Sequence, residues 1–499
     1  MKKQLRVFCA LLALLLVGVL FSACGTPSAT PPTNGTAGSS GTSEVTEEPQ
    51  PELGFASENN NGAAITILMP QEKDFEIALD AGTDRVSAAM YQRNCAVEDY
   101  LGVIFDIKVA SGSWANRHNY NKLISNSVMV AKEYDIVTGQ TSCTFVPCAQ
   151  EGLFQDLNAL ESFDFSAEWW VPNMTENYAI ENRLYGVVGD LSLSLYRSMA
   201  VLFFNQYLID QYQLESPYDM VRKGTWTLSN MMEMAKSVEE TVDGAYDVTT
   251  NMMGFMPYFT VNRNFLCALD VPLVERNAET GAVTVPLNPN EKLIDIFDYM
   301  YDAYENCNAI YCSGSLDECM NSFKNNTVLI TGGSFNEVER LRDMEKDYGL
   351  VPLPKYNEEQ ANYLSAISQD GLMWHIPVNS SQPELCAKAM EALSFYGLYD
   401  VTPEYYEVAL GLVYARDENV QEMLRIMRQN AVMRWESIYD MAFTPSMWNI
   451  IQMTDAFRHP ASNKVGTYHG DNVVTFWATN QVKWQTGVDK LYAALSGLQ

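Results

Sequence analysis

The stretch NTVLITGGSFNEVERLRDMEKDYGLVPLPKYNEEQANYLSAISQDGLMWHIPV, residues 326–378, decides how the chain is read. Its opening, 327–331, is a short apolar run rich in β-branched residues and predicts a buried strand. Gly332 and Gly333 are expected to break that strand and to let backbone approach closely. Ser334 stands three residues before Glu337, a capping-box spacing that predicts a helix start. A strand that feeds a helix N-terminus through Gly-Gly leaves free N–H groups facing a crevice. The segment YGLVPLP (348–354) is extended, because its prolines exclude helix. GLMWHIP (371–377) reads as a second apolar strand. A helix from about Pro383 would bury Leu385, Cys386, Ala389, Met390 and Leu393 on one face.

Toward the N-terminus the same alternation recurs. AITILM (64–69) is a strand with Pro70, Gln71 and Glu72 in its exit loop. Val86, Ala89, Met90, Cys95, Val97 and Leu101 then mark a helix that Gly102 stops. Residues 103–109 form a second strand that exits through SGSW (111–114), and a helix carries Tyr120, Leu123, Ile124, Val128 and Met129 on one face. YDIVT (134–138) is a third strand, followed by Gly139, Gln140, Thr141 and Ser142. Strands alternating with helices predict βαβ units and a mainly parallel sheet. In such sheets ligands sit beyond the carboxyl ends of the strands, which points to the loops at 70–72, 112–114 and 139–144.

Further segments stand in a telling order: GLFQDLNAL (152–160), LYGVV (184–188), MAVLFFN (199–205), GTW (224–226) before an amphipathic helix, FKNNTVLITGG (323–333), then YGLVPLP. Together they resemble the bacterial extracellular solute-binding proteins of the sugar type, the maltose-binding-like family 1. The usual Pro just before the GTW motif is absent. The resemblance covers nearly all of 62–499, and the order of the motifs is more specific than any one of them. It implies a two-lobed α/β periplasmic-binding-protein-like fold of type II, with hinge-connected lobes around a ligand cleft. Lobe one would comprise 62–193 and 372–430, and lobe two 194–371 and 431–499. The chain would cross between lobes near 189–198 and 368–373.

The N-terminus carries a basic start, an apolar core over 7–21, and Ser22-Ala23-Cys24, which reads as a signal peptide over 1–23. The tripeptide resembles a lipobox, with Phe21 where Leu is usual, and implies lipidation of Cys24. Two acyl chains on that cysteine would anchor stably. Residues 24–61, rich in Gly, Ser, Thr, Pro and Glu, form a disordered tether with a reach of roughly 30 Å. The formal charge of −30 becomes −33 once Lys2, Lys3 and Arg6 leave with the signal peptide, which argues against nucleic acid or anionic lipid as a partner. Of ten cysteines eight remain after Cys9 and Cys24 are set aside, and an exported chain permits disulfides among them. No CxxC or HExxH occurs and there are four histidines, so neither a metal nor a cofactor is expected.

A sugar offers apolar C–H faces and a rim of hydroxyls, so its site needs flat aromatic platforms with polar groups at the edges. Trp114 lies in a strand-exit loop and is a candidate platform, whereas Trp374 lies inside an apolar strand and reads as core. Trp169 and Trp170 read as rim or core. Trp448 falls where the family carries a stacking aromatic. Ser334 and Phe335 fall on the family's second binding loop; they read equally well as a helix cap and a core ring. Gln140 and Thr141 can exchange hydrogen bonds at a strand end, and Glu72 can accept from hydroxyls.

For catalysis, GGSFN (332–336) misses the nucleophile-elbow pattern at its last position, and no phosphate loop occurs. The sequence reading is therefore a non-enzymatic, monomeric lipoprotein on the outer face of the cell membrane. It would capture a carbohydrate, by resemblance an oligosaccharide, and deliver it to ABC permease subunits, touching the membrane through its lipid anchor alone. A secreted glycan-active enzyme and a sensor subunit for a membrane kinase are the rival readings.

Overall fold

The computed structural model describes residues 52–496 except 78–79, 83, 173, 244–245, 370, 413–417, 445 and 448–472. Cys24 and Trp448 therefore lie outside the described residues. The strands that carry the architecture are β1 (Ala63–Pro70), β2 (Val103–Ala110), β3 (Ile136–Gln140), β4 (Ala200–Asn205), β5 (Met253–Phe255), β6 (Val328–Ser334), β7 (Tyr348–Val351), β8 (Ser365–Ala366), β9 (Leu372–His375) and β10 (Ala431–Val432). They form two four-stranded sheets, ordered β9-β3-β1-β2 and β5-β6-β4-β7, plus the short pair β8-β10. Each large sheet is the centre of one lobe.

In the first sheet β1 lies parallel to β2 and β3, and β9 closes the edge antiparallel to β3. Ile65, Ile67, Leu68 and Met69 of β1 are buried, because helices cover both faces of a central parallel strand. Helix α1 (Arg85–Leu101) starts on Asp84, whose carboxylate accepts from Ser87 N at 2.9 Å. It ends at Gly102 with φ 60°, where a Cβ would stand 2.7 Å from Asn60 N. Helix α2 (Pro383–Tyr396) starts with proline in its first turn and buries Cys386, Ala389, Met390 and Leu393, packing on α1.

The second sheet departs from the expected parallel pattern: β4 is antiparallel to both β6 and β7, and only β5–β6 is parallel. β4 runs away from the interlobe crossing, whereas β6 and β7 run back toward it. The Gly332-Gly333 pair does not break β6, which continues to Ser334. A Cβ on Gly332 would meet Leu202 Cδ2 and Val261 Cγ1 at 2.8 Å, and one on Gly333 would meet Glu337 Cγ at 2.7 Å. The two glycines thus serve close packing across the strand. The expected helix start is a 3-10 turn, Phe335–Glu337, followed by the short helix Val338–Leu341. Ser334 makes no backbone cap bond; its hydroxyl lies 3.3 Å from Glu337 Oε1.

All eight cysteines among the described residues are free thiols, and all but Cys95 are buried. Glu391, also buried, receives the indole N–H groups of Trp169 at 2.9 Å and Trp170 at 3.1 Å. This bond pair fastens the 165–172 segment to α2 and makes both tryptophans core residues. Burial pushes the Glu391 carboxyl up to about 8 against the opposing indole hydrogen bonds. The unfolded group ionises at its ordinary 4.5. Between these values the folded state holds a proton that the unfolded chain releases, so stability falls as pH rises through this window. Glu391→Gln is expected to flatten that slope and, because its amide nitrogen cannot accept from the second indole, to cost about 1–3 kcal/mol at pH 5. Urea unfolding at pH 5, 7 and 9 checks this; an unchanged slope would assign the pH dependence to other groups.

Candidate functional site

The parallel register places the exits of β1, β2 and β3 on one edge of the first sheet, since Pro70 pairs with Ala110 and Leu68 with Val137. Leu372, the first residue of β9, pairs there with Gln140. In the second sheet Ala200 at the start of β4 pairs with Ser334 at the end of β6. The end of parallel β5, leading into 256–258, lies on the same edge. Both edges border the segments that cross between the sheets.

Three crossings lie side by side. Ser368 N donates to Ser198 O at 3.0 Å, Ser365 N to Asn430 O at 2.8 Å, and Ile367 N to Val432 O at 2.9 Å. Met199 also bridges Ile367, and β8 pairs parallel with β10. At this seam Met199, residues 365–367 and residues 431–432 are short extended pieces joined side by side by hydrogen bonds. Rotation about such a ribbon changes a few φ/ψ angles and leaves both cores intact, which is the construction of a hinge.

On the lobe-one edge, Glu72 accepts from Ser111 Oγ at 2.8 Å and Gly112 N at 2.9 Å, joining the first two exit loops. Burial would raise its carboxyl, but these hydrogen bonds win and hold it below the ordinary range. Trp114 is 51% exposed. The Arg117 guanidinium lies 4.1 Å from its ring centroid and donates to its carbonyl at 2.6 Å. One indole is therefore held in place while a large part of its surface stays open, as a stacking platform requires. Gln140 is half-buried and accepts from Cys143 Sγ at 3.4 Å. Thr141 is fully buried, and both its N–H and its hydroxyl reach Gly371 O at 3.3 Å, so it fastens the third exit loop to the return crossing.

On the lobe-two edge Ser334 is half-buried and Phe335 is buried. Phe335 N donates to Met199 O at 2.8 Å, and its ring meets Tyr405 edge-on at 6.0 Å. The structure thus gathers Glu72 and Trp114 on the first edge and sets Ser334 and Phe335 on the second.

The sequence reading did not single out Arg197. It sits in the first crossing, with its guanidinium 4.9 Å from the Phe75 ring of lobe one and 3.0 Å from Glu339 of lobe two, and it also donates to Asn336 Oδ1. It is the single cation in the stretch 189–198, and that was the signal available. Deeper in, Tyr439 leans on Phe145 at 5.4 Å, bringing the 435–443 segment against the third exit loop.

Solved structures share this architecture. A sugar transporter protein from Rhizobium etli in an open conformation is 13% identical, with 88% of this chain and 100% of that one covered, at a TM-score of 0.54. The fold is that of the sugar-type solute-binding proteins. A cyclo/maltodextrin-binding protein complexed with maltotetraose is 12% identical over 87% of this chain and 97% of its own, at 0.53. The galacto-N-biose/lacto-N-biose I-binding protein of a Bifidobacterium longum ABC transporter is 11% identical over 88% and 99%, at 0.52. No family model and no curated protein matches the sequence. The two-lobed solute-binding architecture is thus kept at identities where sequence comparison no longer detects it.

Proposed function

We propose that this protein captures a carbohydrate between its lobes and releases it chemically unchanged. The observation that carries the reading is the three-strand hinge ribbon joining two strand-exit edges, with a braced, half-exposed tryptophan on one of them. The shared fold with proteins solved with maltotetraose and lacto-N-biose supports a glycan ligand. On this reading the open form takes the sugar on the Trp114 edge. The crossings then bend, and the Ser334–Asn336 edge closes over the ligand and excludes water. Glu72, Gln140 and main-chain N–H groups at the strand exits would serve the hydroxyls. The closed form would present itself to ABC permease subunits.

The lipid anchor is part of the same proposal. Among the described residues no helix is long and apolar enough to cross a membrane. Acylation of Cys24 would hold the lobes at the outer face of the membrane through a tether shorter than the expected 24–61, because the chain already docks on lobe one from Phe55, whose carbonyl accepts from the Tyr100 hydroxyl at 2.6 Å, to Asn60, which donates to Leu101 O at 2.8 Å. Mass spectrometry of the N-terminal peptide from membranes checks this, and an unmodified or absent Cys24 would refute it.

A thermal-shift panel of mono- and oligosaccharides, amino acids and peptides tests the capture reading. A ligand at 100 times its dissociation constant stabilises by about 2.7 kcal/mol. The expected result is a shift with one glycan family and recovery of that glycan intact. Cleaved glycan would make the protein an enzyme, and a shift with peptides alone would overturn the carbohydrate assignment. Trp114→Ala is expected to weaken glycan binding about tenfold or more, because a stacked ring is commonly a hot spot. Calorimetry showing unchanged affinity would remove Trp114 from the site.

A further inference from the structure

A cavity of about 740 Å³ lies beside the first crossing, where Tyr196 lines it. One wall comes from lobe-one residues between Phe165 and Glu176 and the other from the helices Thr402–Leu412 and Glu418–Gln429, which precede the third crossing. Neither Trp114 nor Ser334 lines it, and its volume lies within the range of small-molecule sites.

Its lining has two parts. Phe165, Pro172, Leu398 and Tyr406 give apolar and aromatic surface, with the Trp170 indole behind Phe165 in an edge-on contact at 5.7 Å. Glu168, Glu176, Arg425, Arg428 and Gln429 give polar groups. Two of these are held in place by other contacts: Arg428 is ion-paired with buried Asp190, and the Glu168 carboxylate accepts from Tyr399. Arg425 is exposed and takes part in no ion pair among the described residues.

The Arg428 charge is taken up by Asp190, which leaves Arg425 against Glu168 and Glu176, so the lining disfavours an anionic ligand. Guanidinium groups only donate hydrogen bonds and carboxylates only accept them, whereas a hydroxyl does both. A neutral ligand with hydroxyls at one end and an apolar ring or chain at the other uses both kinds of wall. We propose that this cavity is a second ligand site, separate from the interlobe cleft, and that it takes a neutral glycoside with an apolar aglycone. The apolar part packs on Phe165, Leu398 and Tyr406, and the sugar hydroxyls reach Arg425, Gln429 and the two glutamates. This inference does not depend on the cleft binding a carbohydrate.

The probe is 4-methylumbelliferyl β-D-glucoside, titrated into the folded protein and followed by energy transfer from tryptophan. Saturable binding of one equivalent at this cavity is expected. Leu398→Trp fills the apolar part and should weaken binding tenfold or more. Arg425→Ala removes an exposed donor from the lining and should weaken it about five- to tenfold. Trp114→Ala, on the cleft edge, should leave it unchanged. No saturable binding would overturn the proposal, as would equal affinity in the Leu398 and Arg425 variants. A loss in Trp114→Ala alone would place the probe in the cleft and also overturn it.

Discussion

Arg428→Met is expected to cost about 3–5 kcal/mol of folding stability, because it strands a buried charge. Arg428 comes from the last turn of the helix Glu418–Gln429, which leads into the third crossing, and is ion-paired with Asp190, whose side chain is fully buried. It also donates to Glu168 O at 2.9 Å and, through Nε, to the Tyr196 hydroxyl at 3.1 Å. Burial alone would make the guanidinium easier to deprotonate; the Asp190 charge reverses this and holds it above its ordinary value. Methionine keeps the length and apolar volume of the stem and removes the charge. Asp190 is then left with the Tyr196 and Thr402 hydroxyls and must ionise in a dry site or take up a proton. Urea unfolding should show a lowered midpoint. The paired change Arg428→Met with Asp190→Leu is expected to recover most of the loss, since an apolar pair often replaces a buried ion pair without penalty. A single variant as stable as the parent would show that Asp190 is solvated in solution.

Glu76→Ala is expected to have a comparable effect at the first crossing, again about 3–5 kcal/mol. Glu76 lies in the exit loop of β1 and is fully buried. Its carboxylate accepts from Ser192 Oγ at 2.8 Å and from Ser194 Oγ, so it holds the entrance to the crossing. Beside it, Arg93 donates to the Glu76 carbonyl at 3.3 Å and to Leu191 O at 3.0 Å. Burial brings the Arg93 guanidinium down to about 10, and the Glu76 charge opposes that fall. Alanine would remove the one carboxylate that offsets Arg93 and leave two serine hydroxyls without their acceptor. Glu76→Gln keeps an acceptor oxygen and should cost less than half as much. Limited proteolysis between 189 and 199 gives a second readout: the alanine variant should be cut faster. Equal unfolding midpoints for alanine, glutamine and parent would mean that Arg93 is balanced elsewhere.

Both expectations concern residues that hold the crossings, and neither residue could be ranked from the sequence. Asp190 and Arg428 are separated by more than two hundred positions, and nothing in the local pattern around either one points to the other. Glu76 follows Glu72 and Asp74 and reads like them as a solvated acid, yet it is buried while those two are exposed. Which member of an acidic run turns inward is settled by where the crossing passes, a long-range fact. The same holds for Arg197, visible as an isolated cation at 189–198 but placed between Phe75, Asn336 and Glu339 only by folding.

The sequence by itself determined the elements and their order. Period-two and continuous apolar runs located β1, β2, β3, β4, β6 and β9, and glycine in the left-handed region ended α1 where it was expected. These signals are local: a few neighbouring side chains and one backbone angle decide them. The two-lobed architecture came from the resemblance that the motifs, taken in order, bear to the sugar-type solute-binding proteins. Only the tertiary structure decided the strand directions in the second sheet, the use of Gly332 and Gly333 for packing, and which candidate side chains stay open. Trp114 keeps an exposed face because Arg117 braces it at a sheet edge, whereas Phe335 is buried against Tyr405 and Thr141 is tied to Gly371. Exposure and close packing depend on what residues far away in sequence place alongside, and hydrophobic pattern carries no information about those neighbours.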